Sequence, residues 1–209
     1  MTPLSQILSH KIVAILRGAS PGDVYEIAKA LYKGGVKCLE ITLNSPDAFQ
    51  VIENISMKME GQMLVGAGTV LDAAAAGNAI AAGAKFIISP ITDEATIRIT
   101  KELGAVSIPG AFTPTEIFKA YSCGGDIIKV FPGTSGPGFI REIGAPLPQI
   151  PLMPTGGINL ENLHEFKKAG AVAFGIGKAL VDTTQKISEA YLHQMTANAR
   201  AFMRAANTE

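Results

Sequence analysis

The chain has 209 residues, 47% of them hydrophobic and 17% charged, a length and balance that fit one large domain with a full core. Lysine plus arginine and aspartate plus glutamate stand at 18 each, which argues against a general affinity for nucleic acid or for an anionic membrane. Cys38 and Cys123 are the only cysteines, too few for a disulfide framework or a C-x-x-C zinc or redox pair, and no apolar run approaches the ~18 residues of a membrane span.

The N-terminal Met1-Thr2-Pro3-Leu4-Ser5-Gln6-Ile7-Leu8 lacks the basic and long apolar regions of a secretory leader, so a cytoplasmic protein is expected. The first β-rich run is Ile12–Leu16, closing on Arg17-Gly18. From Asp23 to Leu31 the spacing of Ile27, Ala30 and Leu31 gives one apolar helix face, stopped by Gly34-Gly35. Strand runs then alternate with helical patterns: Cys38–Leu43 and Asp47–Met59, Met63–Val65 and Asp72–Ala82, Phe86–Ile88 and Asp93–Leu103, Val106–Ile108 and Thr115–Tyr121. Ile127–Val130 follows, then Leu152–Met153, a helix over Asn159–Ala169, and Val172–Phe174. Ser20, Ser45, Thr92, Thr113 and Asn159 are candidates for helix N-caps, and Pro21, Pro46 and Pro114 suit a first helical turn. Gly35-Val36, Gly83-Ala84, Gly104-Ala105 and Gly170-Ala171 read as glycines that close a helix and feed the next strand. Strand runs recurring every ~20 to 26 residues predict an α/β fold, a single-domain (β/α)8 TIM barrel over residues 1–209.

Such a barrel gathers its chemistry at the C-terminal strand ends. One of these, Asp126-Ile127-Ile128-Lys129-Val130-Phe131-Pro132-Gly133, is an apolar run with a lysine in its middle. Burial disfavours an ammonium and lowers its pKa, which makes the amine a nucleophile able to form a Schiff base with a carbonyl. The plainer reading turns Lys129 outward by strand alternation or lets it snorkel to the strand end. Glu40, inside Cys38–Leu43, is the same kind of anomaly. Paired with Lys129 it could relay protons, or the two could form a structural ion pair between strands. Arg17 offers a fork for a carboxylate or phosphate, or is a surface arginine. Thr69, after Gly66-Ala67-Gly68, is a candidate hydroxyl ligand or a turn residue.

Gly156-Gly157, ahead of the expected helix at Asn159, and Gly175-Ile176-Gly177, placed after the last strand, fit the phosphate site of barrel enzymes. Neither Gly-x-Gly completes a dinucleotide fingerprint, and Gly177-Lys178 lacks the other residues of a P-loop. His10, His164 and His193 fall in expected helices or the terminus, and His164-Glu165 is not completed to a zinc helix. A metal-dependent enzyme is therefore disfavoured, with a carboxylate-only magnesium site left open.

Glu40-Ile41-Thr42-Leu43, Gly66-Ala67-Gly68-Thr69-Val70, Ile88-Ser89-Pro90, Ile108-Pro109-Gly110, Lys129-Val130-Phe131-Pro132 and Pro154-Thr155-Gly156-Gly157-Ile158 stand in register from Ile12 to about Val181. The chain thereby resembles the family of 2-keto-3-deoxy-6-phosphogluconate (KDPG) and 4-hydroxy-2-oxoglutarate aldolases. The resemblance implies a class I aldolase with no metal or organic cofactor, usually a homotrimer. It implies cleavage of KDPG to pyruvate and glyceraldehyde 3-phosphate, and often of 4-hydroxy-2-oxoglutarate to pyruvate and glyoxylate. Residue by residue, Lys129 resembles the Schiff-base lysine and Glu40 the general acid/base. Thr69 resembles the contact to the pyruvate part; Thr155, Gly156 and Gly157 resemble contacts to substrate hydroxyl and phosphate. Pro90, Phe131, Gly177 and Lys178 join them as candidate substrate-binding residues at strand ends.

Two departures bear on substrate. Many family members carry arginine where Asn44 stands, so Arg17 is expected to hold the carboxylate instead. That swap, with Leu43-Asn44-Ser45-Pro46, resembles the sister 2-keto-3-deoxy-6-phosphogalactonate aldolases. Those typically have an apolar residue where Thr155 stands, which favours the gluconate substrate. Lys178 replaces a common serine, either to add charge near the phosphate or to point outward. An isomerase or epimerase of phosphosugars on the same barrel, with Glu40 as base, is the alternative enzyme class; a phosphate-binding barrel without catalysis is the third.

Overall fold

The computed structural model describes residues 1–208, in which helices and strands alternate. Helix α1 (Pro3–His10) precedes β1 (Ile12–Leu16), α2 (Val24–Lys33), β2 (Cys38–Thr42), α3 (Ala48–Lys58), β3 (Leu64–Gly68) and α4 (Ala73–Ala81). There follow β4 (Phe86–Ile88), α5 (Glu94–Glu102), β5 (Val106–Ile108), β6 (Gly110–Ala111), α6 (Pro114–Ser122) and β7 (Ile128–Val130). The chain ends with α7 (Pro137–Gly144), β8 (Leu152–Pro154), α8 (Leu163–Lys168), β9 (Phe174–Ile176) and the long α9 (Glu189–Asn207).

All pairing between named strands is parallel. One sheet runs β5-β4-β3-β2-β1-β9 and a second β6-β7-β8. Between β5 and β6 stands Pro109, which has no N–H to give a ladder; its carbonyl still accepts from Lys129 N–H at 2.9 Å. At the other seam Val172 N–H donates to the Leu152 carbonyl at 3.0 Å, and Thr155 bridges Gly175 in parallel.

Two apolar clusters show why the strands read as unbroken hydrophobic runs: both faces are covered. Ile12, Ala14 and Leu16 of β1 pack outward with helix residues such as Ile27, Leu31 and Phe202. Val13 points the other way, into an inner cluster with Cys38, Leu64, Phe86, Ile88, Val106, Ile108, Ile127 and Met153. Gly66 faces Phe86 there, and a Cβ at that position would overlap the ring.

Helix starts differ from expectation. Thr113 does cap α6, through a reciprocal box with Glu116, and Pro114 takes the first turn. Asp23, Asp47 and Asp93 occupy the caps where Ser20, Ser45 and Thr92 were candidates. The hydroxyls of Ser45 and Thr92 are drawn to other loops, to Gly18 N–H and the Gly110 carbonyl, and Pro21 and Pro46 lie outside helices. Helix α8 begins at Leu163 rather than Asn159, because Asn159 and Asn162 side chains satisfy the intervening N–H groups in a turn. Gly175-Ile176 belongs to β9 rather than following it. The closing glycines behave as read: Gly35, Gly83, Gly104 and Gly170 have φ of 96°, 107°, 77° and 102°. Among the described residues no helix is long and apolar enough to cross a membrane.

Candidate functional site

Strand alternation places the two anomalous charges. Glu40 lies two residues after Cys38, and Lys129 two after Ile127; both predecessors are in the inner cluster. The side chains therefore point into the same interior, one layer nearer the C-terminal strand ends. Glu40 pairs in register with Ile15 and Gly66, and Lys129 with Gly110 and Met153. Small neighbours make the room. A Cβ on Gly68 would collide with the Glu40 carboxylate, and a Cβ on Gly175 with the Thr155 side chain.

Lys129 is 5% exposed and Glu40 1%. Burial is the larger influence on each. It pushes the Glu40 carboxyl above the usual carboxylate range, against the pull of Lys129 and then Arg17. It pushes the Lys129 ammonium below the usual lysine range; Glu40 opposes that shift and Arg17 adds to it. Among the described residues Glu40 Oε2 has no hydrogen-bond partner. The Lys129 Nζ sits 4.9 Å from the centre of the Phe131 ring. An amine biased toward its neutral form beside a carboxyl biased toward its protonated form is a pair set to exchange protons with a reactant.

A cavity of ≈ 760 Å³ opens over Lys129, lined by Arg17, Thr69, Pro90, Lys129, Phe131, Thr155, Gly156, Gly157, Gly177 and Lys178. Every other sequence-predicted site residue thus meets in one space, while Glu40 is buried and does not itself line it. Asn44 does not line it. Arg17 Nη2 donates to Thr69 Oγ1 at 3.4 Å. Thr69 is held at φ 53°, a left-handed conformation that costs a non-glycine residue energy and is concentrated at functional sites. Thr155 is buried, with only a 3.5 Å contact from its hydroxyl to the Met153 carbonyl, so the group is available to the cavity.

At the glycine-rich end, Gly156 and Gly157 have φ of 90° and 77°. The expected helix N-terminus is not there, since α8 starts later and Asn159 N–H is already bonded to Asn162. Lys178 is loosely tied to Asp182 at 3.7 Å and is otherwise in solvent. Asp182, Thr183 and Thr184 also line the cavity, and nothing in the sequence singled them out. These residues match no motif, and their place depends on contacts made far along the chain. Among the described residues no cluster of three or more His, Cys, Asp or Glu could hold a metal ion.

Residues 4–197 match the aldolase family described as KDPG and KHG aldolase. A probable 2-dehydro-3-deoxy-6-phosphogalactonate aldolase of Rhizobium meliloti is 35% identical over 83% of this chain and 82% of its own length. A 2-dehydro-3-deoxy-phosphogluconate aldolase of Treponema pallidum is 33% identical over 84% of this chain and 83% of its own. Among solved structures, the KDPG aldolase of Legionella pneumophila, with pyruvate captured as a covalent carbinolamine, superposes with a TM-score of 0.84. It is 25% identical and covers 96% of this chain and 98% of its own.

Proposed function

The chain belongs to the KDPG and KHG aldolase family, and on that premise we propose that it is a class I aldolase cleaving 2-dehydro-3-deoxy-6-phosphogluconate to pyruvate and glyceraldehyde 3-phosphate. Cleavage of 4-hydroxy-2-oxoglutarate to pyruvate and glyoxylate is a further reaction of the same chemistry. The observation that carries this reading is the buried Lys129 amine lining the cavity, with the buried Glu40 carboxyl near enough for each to perturb the other's charge.

Lys129 Nζ, as the free amine, adds to the C2 ketone, and loss of water leaves an iminium. Glu40, directly or through a water, takes the C4 hydroxyl proton. The C3–C4 bond then breaks, its electrons pass into the iminium, and the aldehyde departs. The same acid returns a proton to C3 of the enamine, and hydrolysis releases pyruvate and regenerates the amine. Arg17 holds the keto-acid carboxylate, with Thr69, Pro90 and Phe131 around the pyruvate portion. Thr155 meets a substrate hydroxyl, while Gly156, Gly157, Gly177 and Lys178 receive the phosphate.

In this reading the chain is a single domain whose strands close as a (β/α)8 barrel, with β5 and β6 as the two halves of one strand broken at Pro109. The hydrogen bonds across both seams support that closure. A homotrimer working in the cytoplasm completes the proposal.

The galactonate epimer is the second reading, favoured by Arg17 standing in the cavity while Asn44 stands outside it. Pyruvate with borohydride should leave a mass adduct on Lys129 and none in Lys129→Met; a folded protein without that adduct sinks the aldolase. The ratio of kcat/KM for the two epimers then decides substrate. Thr155→Val should lower the gluconate value at least tenfold, since a site built around a hydroxyl rejects its loss strongly.

A further inference from the structure

Arg17 sits at an exposed loop start, an unpromising place from which to aim a guanidinium. The peptide that joins it to Gly18 is nonetheless fixed at both ends. Thr183 Oγ1 donates to the Arg17 carbonyl at 2.7 Å, and Gly18 N–H donates to Ser45 Oγ at 2.8 Å. A peptide unit is planar, so gripping its oxygen and its hydrogen from opposite sides sets its orientation. Gly18 follows at φ 69°, where the chain turns away.

Each grip is itself anchored. Ser45 Oγ shares a hydrogen bond with Thr42 Oγ1 at 2.9 Å, and Thr42 is fully buried in β2. Next to Thr183, both backbone groups of Asp182 meet one phenol of α9. Asp182 N–H donates to Tyr191 Oη at 2.7 Å, and that hydroxyl donates to the Asp182 carbonyl at 3.0 Å. Two loops from opposite flanks of β1 therefore hold one peptide, and Arg17 Nη2 reaches Thr69 Oγ1 from it.

We propose that Ser45 and Thr183 are positioning residues, which clamp the Arg17–Gly18 peptide so that the guanidinium is aimed at the carboxylate of the 2-keto acid. The inference rests on the assignment of that carboxylate to Arg17. A displacement of about 1 Å in such a group costs up to about 100-fold in the step that depends on it. Loss of one grip leaves the other in place, so the effect of each should be smaller.

The test uses the full chain with Ser45→Ala, Thr183→Val, Thr183→Ser and Arg17→Gln, reading the pyruvate concentration that half-saturates borohydride trapping, and KM and kcat for the keto acid. Ser45→Ala and Thr183→Val should each raise the half-saturating concentration and KM about tenfold. The kcat should stay within about twofold, and Thr183→Ser should behave as the parent. In an Arg17→Gln background, Thr183→Val should add nothing, because the group it aims is gone. If Arg17→Gln weakens pyruvate but the two clamp variants do not, the clamp is refuted and the carboxylate assignment stands. An equal effect of Thr183→Val in both backgrounds refutes it also, as a general structural loss. If Arg17→Gln itself leaves pyruvate binding unchanged, the assignment fails and the clamp fails with it.

Discussion

At Lys129 and Glu40 the fold works against ionisation, and this has consequences for stability as well as reaction. The folded pKa of Lys129 lies below its unfolded value. Its contribution to stability is therefore present above the ordinary lysine pKa and is lost as pH falls through the folded one. Lys129→Met should remove that slope, so urea midpoints measured from pH 10.5 downward should fall less in the variant than in the parent. Glu40 has the opposite sign: its folded pKa is raised, and its contribution is present below the ordinary glutamate pKa and lost as pH rises through the folded value. Replacing both, as Glu40→Gln with Lys129→Met, should leave a protein at least as stable as the parent at neutral pH, because buried charges are often no better than uncharged side chains. A marked loss of stability in the double variant would show the pair to be structural. Lys178 belongs to the same scale. Its side chain is 79% exposed and its tie to Asp182 is long, so Lys178→Ser should leave stability within about 0.5 kcal/mol. If the ammonium receives phosphate, the same change raises KM for the phosphorylated substrate several-fold and leaves pyruvate trapping as it was.

At the scale of elements, glycines in the strands decide where the side chains of the site can go. Gly68 in β3 faces the Glu40 carboxylate of β2, and an added Cβ would occupy the same space. Gly68→Ala should cost about 1–3 kcal/mol as overpacking. Turnover should fall by more than that loss of stability explains, with the far glycine-rich end of the cavity still competent to bind phosphate. Measured side by side, urea unfolding and kcat separate the two effects. Most of this level was legible in the sequence. Buried parallel strands are continuous apolar runs, and Lys129 and Glu40 stood out because each breaks one. The helix starts were less legible: a serine or threonine before a helix caps it only when no better partner lies near. Ser45 finds Gly18, and Thr92 finds the Gly110 carbonyl. Thr183 was invisible for the same reason, since its partner, the Arg17 carbonyl, is 166 residues away. Helices α1, α7 and α9 also went unread. Helix α9 packs where Gly34 leaves room for Ala199, a fit that periodicity alone does not announce.

For the whole molecule, the composition left a clue that the fold sharpens. Only 17% of residues are charged, while the chain exposes large apolar side chains on and around α6. Ile91 follows β4, Phe112 follows β6, and Phe118 and Tyr121 lie on α6 itself. The Phe112 ring stacks on Phe139 with centroids 4.8 Å apart, so it is held in place rather than free to fold inward. Large apolar side chains left in solvent are candidates for burial against another molecule. Closed symmetric assemblies bury such side chains copy against copy. For the trimer proposed above, sedimentation equilibrium should give three times the 21.8 kDa chain mass. Phe118, 52% exposed in the single chain, is the most open of these aromatics, and Phe118→Asp should place a charge inside the contact and shift the mass to that of one chain. Because Lys129 and Glu40 draw their burial from the strands of one subunit, pyruvate trapping on Lys129 should survive in the dissociated variant. A parent protein that sediments as a single chain at micromolar concentration would overturn the trimer and leave the site chemistry untouched.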